Sequence, residues 1–294
     1  MAQPTYRIVN IGVIGGFGMV ANDDIPSGAL ILQENPLLVV DTQILNRNWN
    51  GGATFFNDER DSRTQRVRSA LRSQPRNHRH AFRDLANGIT PPGTNQTIRD
   101  VNIVETNAWN FENPTVNNNT WLAVGNDFSR VNHSCMPNAR ITDVCTVAPN
   151  LGQMRLLATR DIDADAEILV EYAQDGVWLQ PRNVRRAILQ QHWHFHCLCN
   201  ACHSNYSTFF DAKWEYANVL RAEIYFQLPA PQQTFIVSHR IEAAEQYIDI
   251  LKKGGFGDRR LVQAYIRLAE LYMLAAKYTD AHAAGGPGVD IGSE

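Results

Sequence analysis

The chain has 294 residues, of which 44% are hydrophobic and 19% charged, with a formal net charge of −3 and a pI of about 6.3. This composition is typical of a globular protein with one large domain or two modest ones. The charge gives no reason to expect nucleic acid as a direct partner. Apolar runs are too short to predict a membrane span, and the N-terminus lacks the pattern of a secretory signal.

Short apolar runs in residues 6–40 predict strands, with a turn at Pro26-Ser27-Gly28. Residues 53–87 instead predict helices that break near Pro75. Eight arginines accompany four acids in that stretch: Arg60, Arg63, Arg66, Arg68, Arg72, Arg76, Arg79 and Arg83. Such a pattern is typical of a solvated helical face, and the alternative is a docking surface for an acidic partner.

The middle of the chain alternates loops with regular structure. Residues 89–96 and 113–119 are predicted loops, and short apolar runs between 121 and 172 predict strands of a compact β-domain. From residue 206 onward the apolar spacing is helical. Glycines at 254, 255 and 257 predict a helical hairpin that resembles a tetratricopeptide-like pair, although a solenoid usually needs at least about three repeats.

Three separated segments contain residue types that bind ligands and metals. They are Gly16-Phe17-Gly18, the run NHSCMPN (132–138), and EILVEY (167–172) followed by CLCNAC (197–202). In this order they resemble the SET-domain protein-lysine methyltransferases, and within them the SET-and-MYND-like branch. NHSCMPN matches the family's NHSCxPN, EILVEY its ExxxxY segment and CLCNAC its post-SET CxCxxC.

The resemblance implies an α+β fold, in which a SET-domain β-fold of short strands with a pseudoknot carries a helical insert, a zinc-binding post-SET segment and a C-terminal tetratricopeptide-like helical region. The cysteine-rich finger of the branch is predicted to be absent, because residues 41–100 contain no cysteine. The implied divisions are 6–45 (SET N-terminal part), 46–100 (helical insert), 101–180 (SET C-terminal part), 181–205 (post-SET zinc segment), 206–284 (helical domain) and 285–294 (tail).

The same resemblance implies a methyl-transfer site with Tyr172 as its catalytic residue. The implied contacts to S-adenosylmethionine are Gly16, Phe17, Gly18, Asn107, Asn132, His133, Tyr172 and Phe195. Methyl transfer needs a positioned and neutral lysine amine, whereas a free lysine has a pKa of about 10.4. An apolar channel lowers that pKa, and a tyrosine hydroxyl can orient the amine.

These positions also have ordinary structural interpretations. The two glycines suit a tight turn, and Phe17 departs from the basic or polar residue that the family often has there. Tyr172 suits the end of a strand, and Asn132 and His133 suit a bend. Phe195 suits core packing. Core packing is also the prediction for Trp178 and Trp193, with the lining of a lysine channel as the alternative.

The cysteine spacing predicts a structural zinc site. Cys197, Cys199 and Cys202 give three thiolates, whereas structural zinc takes four tetrahedral ligands. The resemblance implies Cys135 as the fourth ligand. Free thiols are one alternative, and a flanking histidine as ligand is another: His192, His194, His196 or His203. Cys145, in an apolar run, is predicted to be a buried small hydrophobe.

The resemblance thus implies an S-adenosylmethionine-dependent protein-lysine N-methyltransferase that acts on a histone or a non-histone protein. It implies a monomer, located in the cytoplasm or nucleus, with a protein or peptide lysine as substrate and no membrane or direct nucleic-acid partner. The alternatives are a non-catalytic SET-fold scaffold or binding module, and a SET-like protein used in small-molecule chemistry, because a fold does not fix a function.

Overall fold

The structure is a computed structural model that describes residues 4–11, 16–41, 62–86, 90–112, 120–143, 153–173, 177–203, 207–226, 237–257 and 259–283. The predictions for Cys145, the 285–294 tail and the first part of the helical insert lie outside these residues. The described strands are β1 Tyr6–Asn10, β2 Phe17–Ala21, β3 Leu30–Glu34, β4 Leu38–Asp41, β5 Trp109–Glu112, β6 Thr120–Val124, β7 Asn132–His133, β8 Ala139–Asp143, β9 Met154–Ala158 and β10 Leu169–Val170. The described α-helices are α1 Ser62–Arg72, α2 Arg76–Arg83, α3 Gln96–Asn107, α4 Arg182–Trp193, α5 Ser207–Tyr225, α6 Val237–Gly254 and α7 Arg259–Ala283.

The strands form small sheets, as the short apolar runs predict. β1 and β2 form an antiparallel pair, and two three-stranded antiparallel sheets have the orders β3-β9-β8 and β4-β6-β5. In β9, Met154, Leu156 and Ala158 are buried and the residues between them are partly exposed, which is the period of two expected for a strand. These residues share one core with Met19 and Phe128.

A two-residue parallel ladder joins β7 to β10, so Asn132 lies beside Leu169 and His133 beside Val170. Asn138 holds the two segments together. Its Oδ1 accepts a hydrogen bond from the Leu169 N–H at 2.7 Å, and its Nδ2 donates to the Glu167 carbonyl at 2.9 Å. The last residue of NHSCMPN therefore fixes the position of EILVEY. The threading of one segment beneath another loop stays a prediction.

The insert contains the predicted helices, and Pro75 separates α1 from α2. Val67 of α1 and Phe82 of α2 share a core with Val101 of α3 and with residues of β4 and β6. α3 begins at Asn95, whose side chain accepts a hydrogen bond from the Ile98 N–H at 3.0 Å, as an N-cap residue does. The division implied between residues 100 and 101 runs through this helix.

In the described residues after 206 the chain forms the helices α5, α6 and α7, and Gly255 turns the chain between α6 and α7 at a φ of +83°. The sequence did not indicate α4. Its position 185 is an arginine that is only 1% exposed, so the inward face does not have an apolar pattern. No described helix has both the length and the hydropathy required to span a membrane.

Candidate active site and cysteine cluster

A cavity of about 850 Å³ brings the separated sequence motifs together. Seven of the eight implied catalytic and cofactor positions line it: Gly16, Phe17, Asn107, Asn132, His133, Tyr172 and Phe195. Gly18, the eighth, lies directly behind this wall in β2. Residues as far apart as 16 and 195 therefore face one space, at the junction of the β-sheets and the end of α4.

Different structural constraints require glycine at positions 16 and 18. Gly16 has a φ of +121°, in the region that side chains other than glycine rarely adopt. Gly18 has no positive φ, but a Cβ at this position would lie 1.8 Å from Ile11 Cδ1 and 2.8 Å from Glu167 Oε1. Gly16 can therefore present its backbone closely to a ligand, whereas Gly18 is required by the close packing of Ile11 and Glu167.

Asn132 has a fixed amide orientation. Its Nδ2 donates to the Phe17 carbonyl at 3.2 Å and to Glu167 Oε1 at 2.9 Å. Because both bonds occupy the donor end, the acceptor Oδ1 is the end available to a ligand. Glu167 was not among the predicted site residues, although it is the first residue of the ExxxxY segment and lines the cavity.

His133 acts as an acceptor within the fold. Its Nδ1 accepts a hydrogen bond from the Tyr172 N–H at 3.0 Å, and its Nε2 lies 3.4 Å from Cys135 Sγ. Burial lowers the pKa of His133 to about 4, so the ring is neutral at physiological pH, with its proton on Nε2. The ring thereby connects Tyr172 to the cysteine cluster.

Tyr172 donates its hydroxyl proton to the Val131 carbonyl at 2.8 Å. Burial, with a contribution from the Glu167 carboxylate, raises the pKa of Tyr172. The side chain therefore remains a neutral phenol, whose oxygen lone pairs can accept a hydrogen bond from an amine.

Aromatic rings surround Tyr172. The ring centroids of Trp109, Trp193 and Phe195 lie 5.6, 5.7 and 6.2 Å from its own. Trp193 packs against the core of the C-terminal helices, as predicted, and it also lines the cavity, so the lining of a lysine channel stays a prediction. Core packing is likewise confirmed for Trp178, which is 2% exposed and belongs to the same core. Trp109, the first residue of β5, also lies on the cavity wall and was missed because it belongs to none of the recognised motifs.

Asn107 lies on the cavity wall but is 7% exposed. Its Nδ2 donates to the carbonyls of Ala86 at 2.6 Å and Ile103 at 2.8 Å. These bonds tie α3 to the chain that follows α2. A contact between Asn107 and a cofactor stays a prediction.

The sulfur atoms of Cys135, Cys197, Cys199 and Cys202 all lie within 4.8 Å of one another. Cys135 Sγ is 3.6 Å from Cys202 Sγ and 3.9 Å from Cys197 Sγ. A tetrahedron with zinc–sulfur bonds of about 2.3 Å has edges of about 3.8 Å, so the arrangement fits a tetrahedral metal ion. No flanking histidine joins this group within the described part of the chain.

Two arginines of α4 support the cysteine cluster. Arg185 Nη2 lies 3.6 Å from Cys202 Sγ, and Arg185 Nη1 pairs with the Asp211 carboxylate at 2.9 Å. Arg186 donates to the carbonyls of Cys197 at 3.0 Å and Cys202 at 2.9 Å. These guanidinium groups place positive charge beside the cysteine sulfur atoms and fix the CLCNAC loop. Residues that hydrogen-bond to the ligands of a metal site commonly have this role.

Comparisons with known proteins agree with these motifs. Histone-lysine N-methyltransferase set5 of Schizosaccharomyces pombe is 27% identical over 205 residues, which cover 67% of this chain and 50% of set5. The chain thus spans about half the length of the curated relative it matches. A crystal structure of the SET domain of LSMT bound to lysine and AdoHcy aligns with a TM-score of 0.40 and 11% identity, over 96% of this chain and 88% of that chain.

The family model of the SET domain matches residues 16–173, which are more than half of the chain. This span starts at the first glycine of the Gly16-Phe17-Gly18 segment and ends directly after Tyr172. The more specific assignment to the SET-and-MYND-like branch stays a prediction. The matched span shows that the chain belongs to the SET-domain family.

Proposed function

We propose that this protein is an S-adenosylmethionine-dependent protein-lysine N-methyltransferase that acts on a histone or non-histone protein. The main observation in favour of this proposal is that three groups line one cavity. They are Asn132 Oδ1, the Phe17 backbone and the Tyr172 hydroxyl, which is surrounded by aromatic rings. An acceptor, an open backbone and a neutral phenol are the groups that a sulfonium cofactor and a lysine amine require.

The cavity wall fits the cofactor at its polar end. Asn132 Oδ1 can accept a hydrogen bond from an ammonium group, because Phe17 and Glu167 already occupy its amide donor. At Gly16 the space around the backbone is open, since a Cβ there would meet no atom within 4 Å. Phe195, whose ring centroid is 5.9 Å from that of His133, offers an aromatic face to a purine.

When bound, S-adenosylmethionine supplies an electrophilic methyl group on a sulfonium sulfur. Trp109, Tyr172 and Trp193 exclude water from the lysine amine, which favours its neutral form. The Tyr172 oxygen accepts a hydrogen bond from the amine and directs its lone pair. A lysine amine held in this way would be placed to accept the methyl group that the bound cofactor would supply.

We also propose that the four cysteines hold one structural zinc ion as a four-thiolate site. Cys135 follows Asn132 and His133, whereas Cys197 follows Phe195. A metal shared by these cysteines would hold the segment with Phe195 against the segment with Asn132. Cofactor binding and metal binding would then depend on each other.

The test combines calorimetric titration of the zinc-loaded protein with S-adenosylmethionine and transfer of a labelled methyl group to proteins of a cell extract. We expect binding, and a labelled lysine in the modified protein. Tyr172→Phe should retain binding and lose roughly 100-fold in transfer, because the amine is no longer oriented. Tyr216→Phe, which removes an exposed hydroxyl from α5, is the control and should keep full transfer.

Two results would contradict the proposal. A zinc-loaded protein that does not bind S-adenosylmethionine would be a scaffold rather than an enzyme. A Tyr172→Phe variant with unchanged transfer would show that the hydroxyl has no part in the reaction.

A further inference from the structure

A second cavity, of about 400 Å³, lies in the helical insert and is lined by arginines. The arginines are Arg68, Arg72, Arg76, Arg79 and Arg83. We name this cavity the arginine cleft. Three further polar side chains line it: His80, Gln96 and Thr97. No ligand-binding role follows from the methyl-transfer site for any of these residues.

Helical spacing places these arginines on one face. Arg68 and Arg72 are four residues apart in α1, and Arg76, His80 and Arg83 follow at intervals of four and three in α2. Residues at such intervals project from the same side of a helix. Pro75 lies between the two helices, and residues of both sets line the same cavity.

The lining of the arginine cleft contains one carboxylate and five guanidinium groups. Asp100, 7% exposed, accepts hydrogen bonds from Arg83 at 2.9 and 3.1 Å and from Gln96 at 2.8 Å. Within the described part of the chain, Arg68, Arg72 and Arg79 have no carboxylate partner. Four formal positive charges therefore remain at the cleft after Arg83 is paired.

Positive charges three or four residues apart on a helix repel one another, so the arginines of the cleft lower the stability of α1 and α2. A stretch so rich in arginine on one face also exceeds what solubility requires in a chain with a net charge of −3. Guanidinium groups bind carboxylates in a bidentate geometry and keep their charge at every physiological pH. These observations point to an anionic ligand.

We propose that the arginine cleft binds an acidic segment of a protein partner. Two observations favour a protein over a nucleic acid. The chain as a whole has no basic excess, and no Phe, Tyr or Trp of the described residues lines the cleft for base stacking. Separate carboxylates on flexible side chains can reach separate arginines.

The cleft is adjacent to the candidate active site. Arg83 lines the cleft, and Asp84, the next residue, lines the larger cavity. A protein bound at the cleft would thus lie near the cavity that Tyr172 lines. The proposal itself concerns binding alone and does not depend on methyl transfer.

Fluorescence anisotropy with the full chain and a labelled peptide of about ten glutamates tests this site. We expect binding that weakens sharply as the salt concentration rises, since exposed charges are screened. The variant Arg72→Ala/Arg76→Ala/Arg79→Ala should weaken binding at least about tenfold, from three lost surface ion pairs. Replacing the same three residues by lysine should cause a smaller loss of affinity, because lysine keeps the positive charge but cannot bind a carboxylate in the bidentate geometry.

The matched control is Arg221→Ala/Lys252→Ala/Lys253→Ala, which removes the same charge from exposed positions of α5 and α6. It should change binding less than about twofold. Equal losses in both alanine triples would overturn the proposal, because only net charge would then matter. No binding at low salt would also overturn it. A third contrary result would be a DNA duplex that binds more tightly than the peptide, with the alanine variant of the cleft abolishing that binding. This result would identify a nucleic acid, and not a protein, as the partner.

Discussion

Glu167 holds Asn132 by a hydrogen bond of 2.9 Å from the asparagine amide to the carboxylate. The same carboxylate oxygen would lie only 2.8 Å from a Cβ at position 18. Glu167 therefore connects the glycine segment with NHSCMPN and decides which end of the asparagine amide faces the cavity. We regard it as a positioning residue, since it acts through Asn132.

Removing this carboxylate should weaken cofactor binding. In Glu167→Ala the amide of Asn132 loses one of its two acceptors and can rotate, which we expect to cost about 1–2 kcal/mol of affinity for S-adenosylmethionine. Calorimetric titration measures the change. Glu167→Gln, which keeps an acceptor oxygen at the same place, is the control and should lose less. Equal affinity in the alanine variant and the original protein would show that Asn132 needs no such support.

Metal content tests the cysteine cluster. The purified protein should contain about one zinc ion per chain, and Cys135→Ser should lose most of it, because a structural site needs all four ligands. Elemental analysis gives the ratio, and thermal unfolding should show a lower melting temperature for the variant. Cys145→Ser, which changes a cysteine outside the NHSC and CxCxxC motifs, should keep its zinc. A Cys135→Ser variant with full zinc content would exclude this cysteine as a ligand.

Gly255, in the turn between α6 and α7, packs against the NHSCMPN segment. It has a φ of +83°, and a Cβ there would lie 1.9 Å from the Pro137 carbonyl oxygen. Gly255→Ala should lower the free energy of unfolding by about 2–4 kcal/mol, from backbone strain and from displacement of Pro137. Gly93→Ala, at a φ of +82° in open space, carries only the strain and should cost about 1 kcal/mol. Urea unfolding compares them, and equal losses would rule out the contact with Pro137.

Glu34 gives stability a dependence on pH. Burial raises its pKa from 4.5 to about 7, against backbone N–H groups of Phe128 and Asp127 that lower it. Between these two values the folded protein keeps a proton that the unfolded chain has lost. The free energy of unfolding should therefore fall as pH rises from about 4.5 to 7, by about 3 kcal/mol at most.

Urea unfolding at about pH 5 and pH 7 measures this slope. Glu34→Gln cannot titrate and should lose this part of the slope, while other ionisable groups keep theirs. If both proteins had the same slope, the carboxylate would titrate equally in the folded and unfolded chains.

The sequence was informative wherever a motif combined residue types that occur together for chemical reasons. Cys135 and the cysteines of CLCNAC are far apart in the chain, yet their sulfur atoms form one group. The helical spacing of the C-terminal region likewise predicted α6 and α7 and the turn between them. In these cases the local pattern contains most of the information.

Other features depend on partners that the sequence does not show. Arg185 is buried because Asp211 and backbone carbonyls accept hydrogen bonds from the two terminal nitrogens of its guanidinium group, so the inward face of α4 resembled a solvated one. Trp193 ends that helix, and only the position of Tyr172 shows that its ring faces a cavity. Glu167 has a role only because β2 and β7 approach it from separate parts of the chain.

The cysteine cluster also belongs to the core of the C-terminal helices. Cys135, Cys197 and Cys202 pack in one continuous cluster with Trp214 of α5 and Leu251 of α6. Cutting the chain after residue 205 would expose this shared interior and remove 13 of the 20 buried residues of the cluster. The SET-domain part is therefore expected to unfold together with the helices in a single cooperative transition, and the two cannot be exchanged as independent modules.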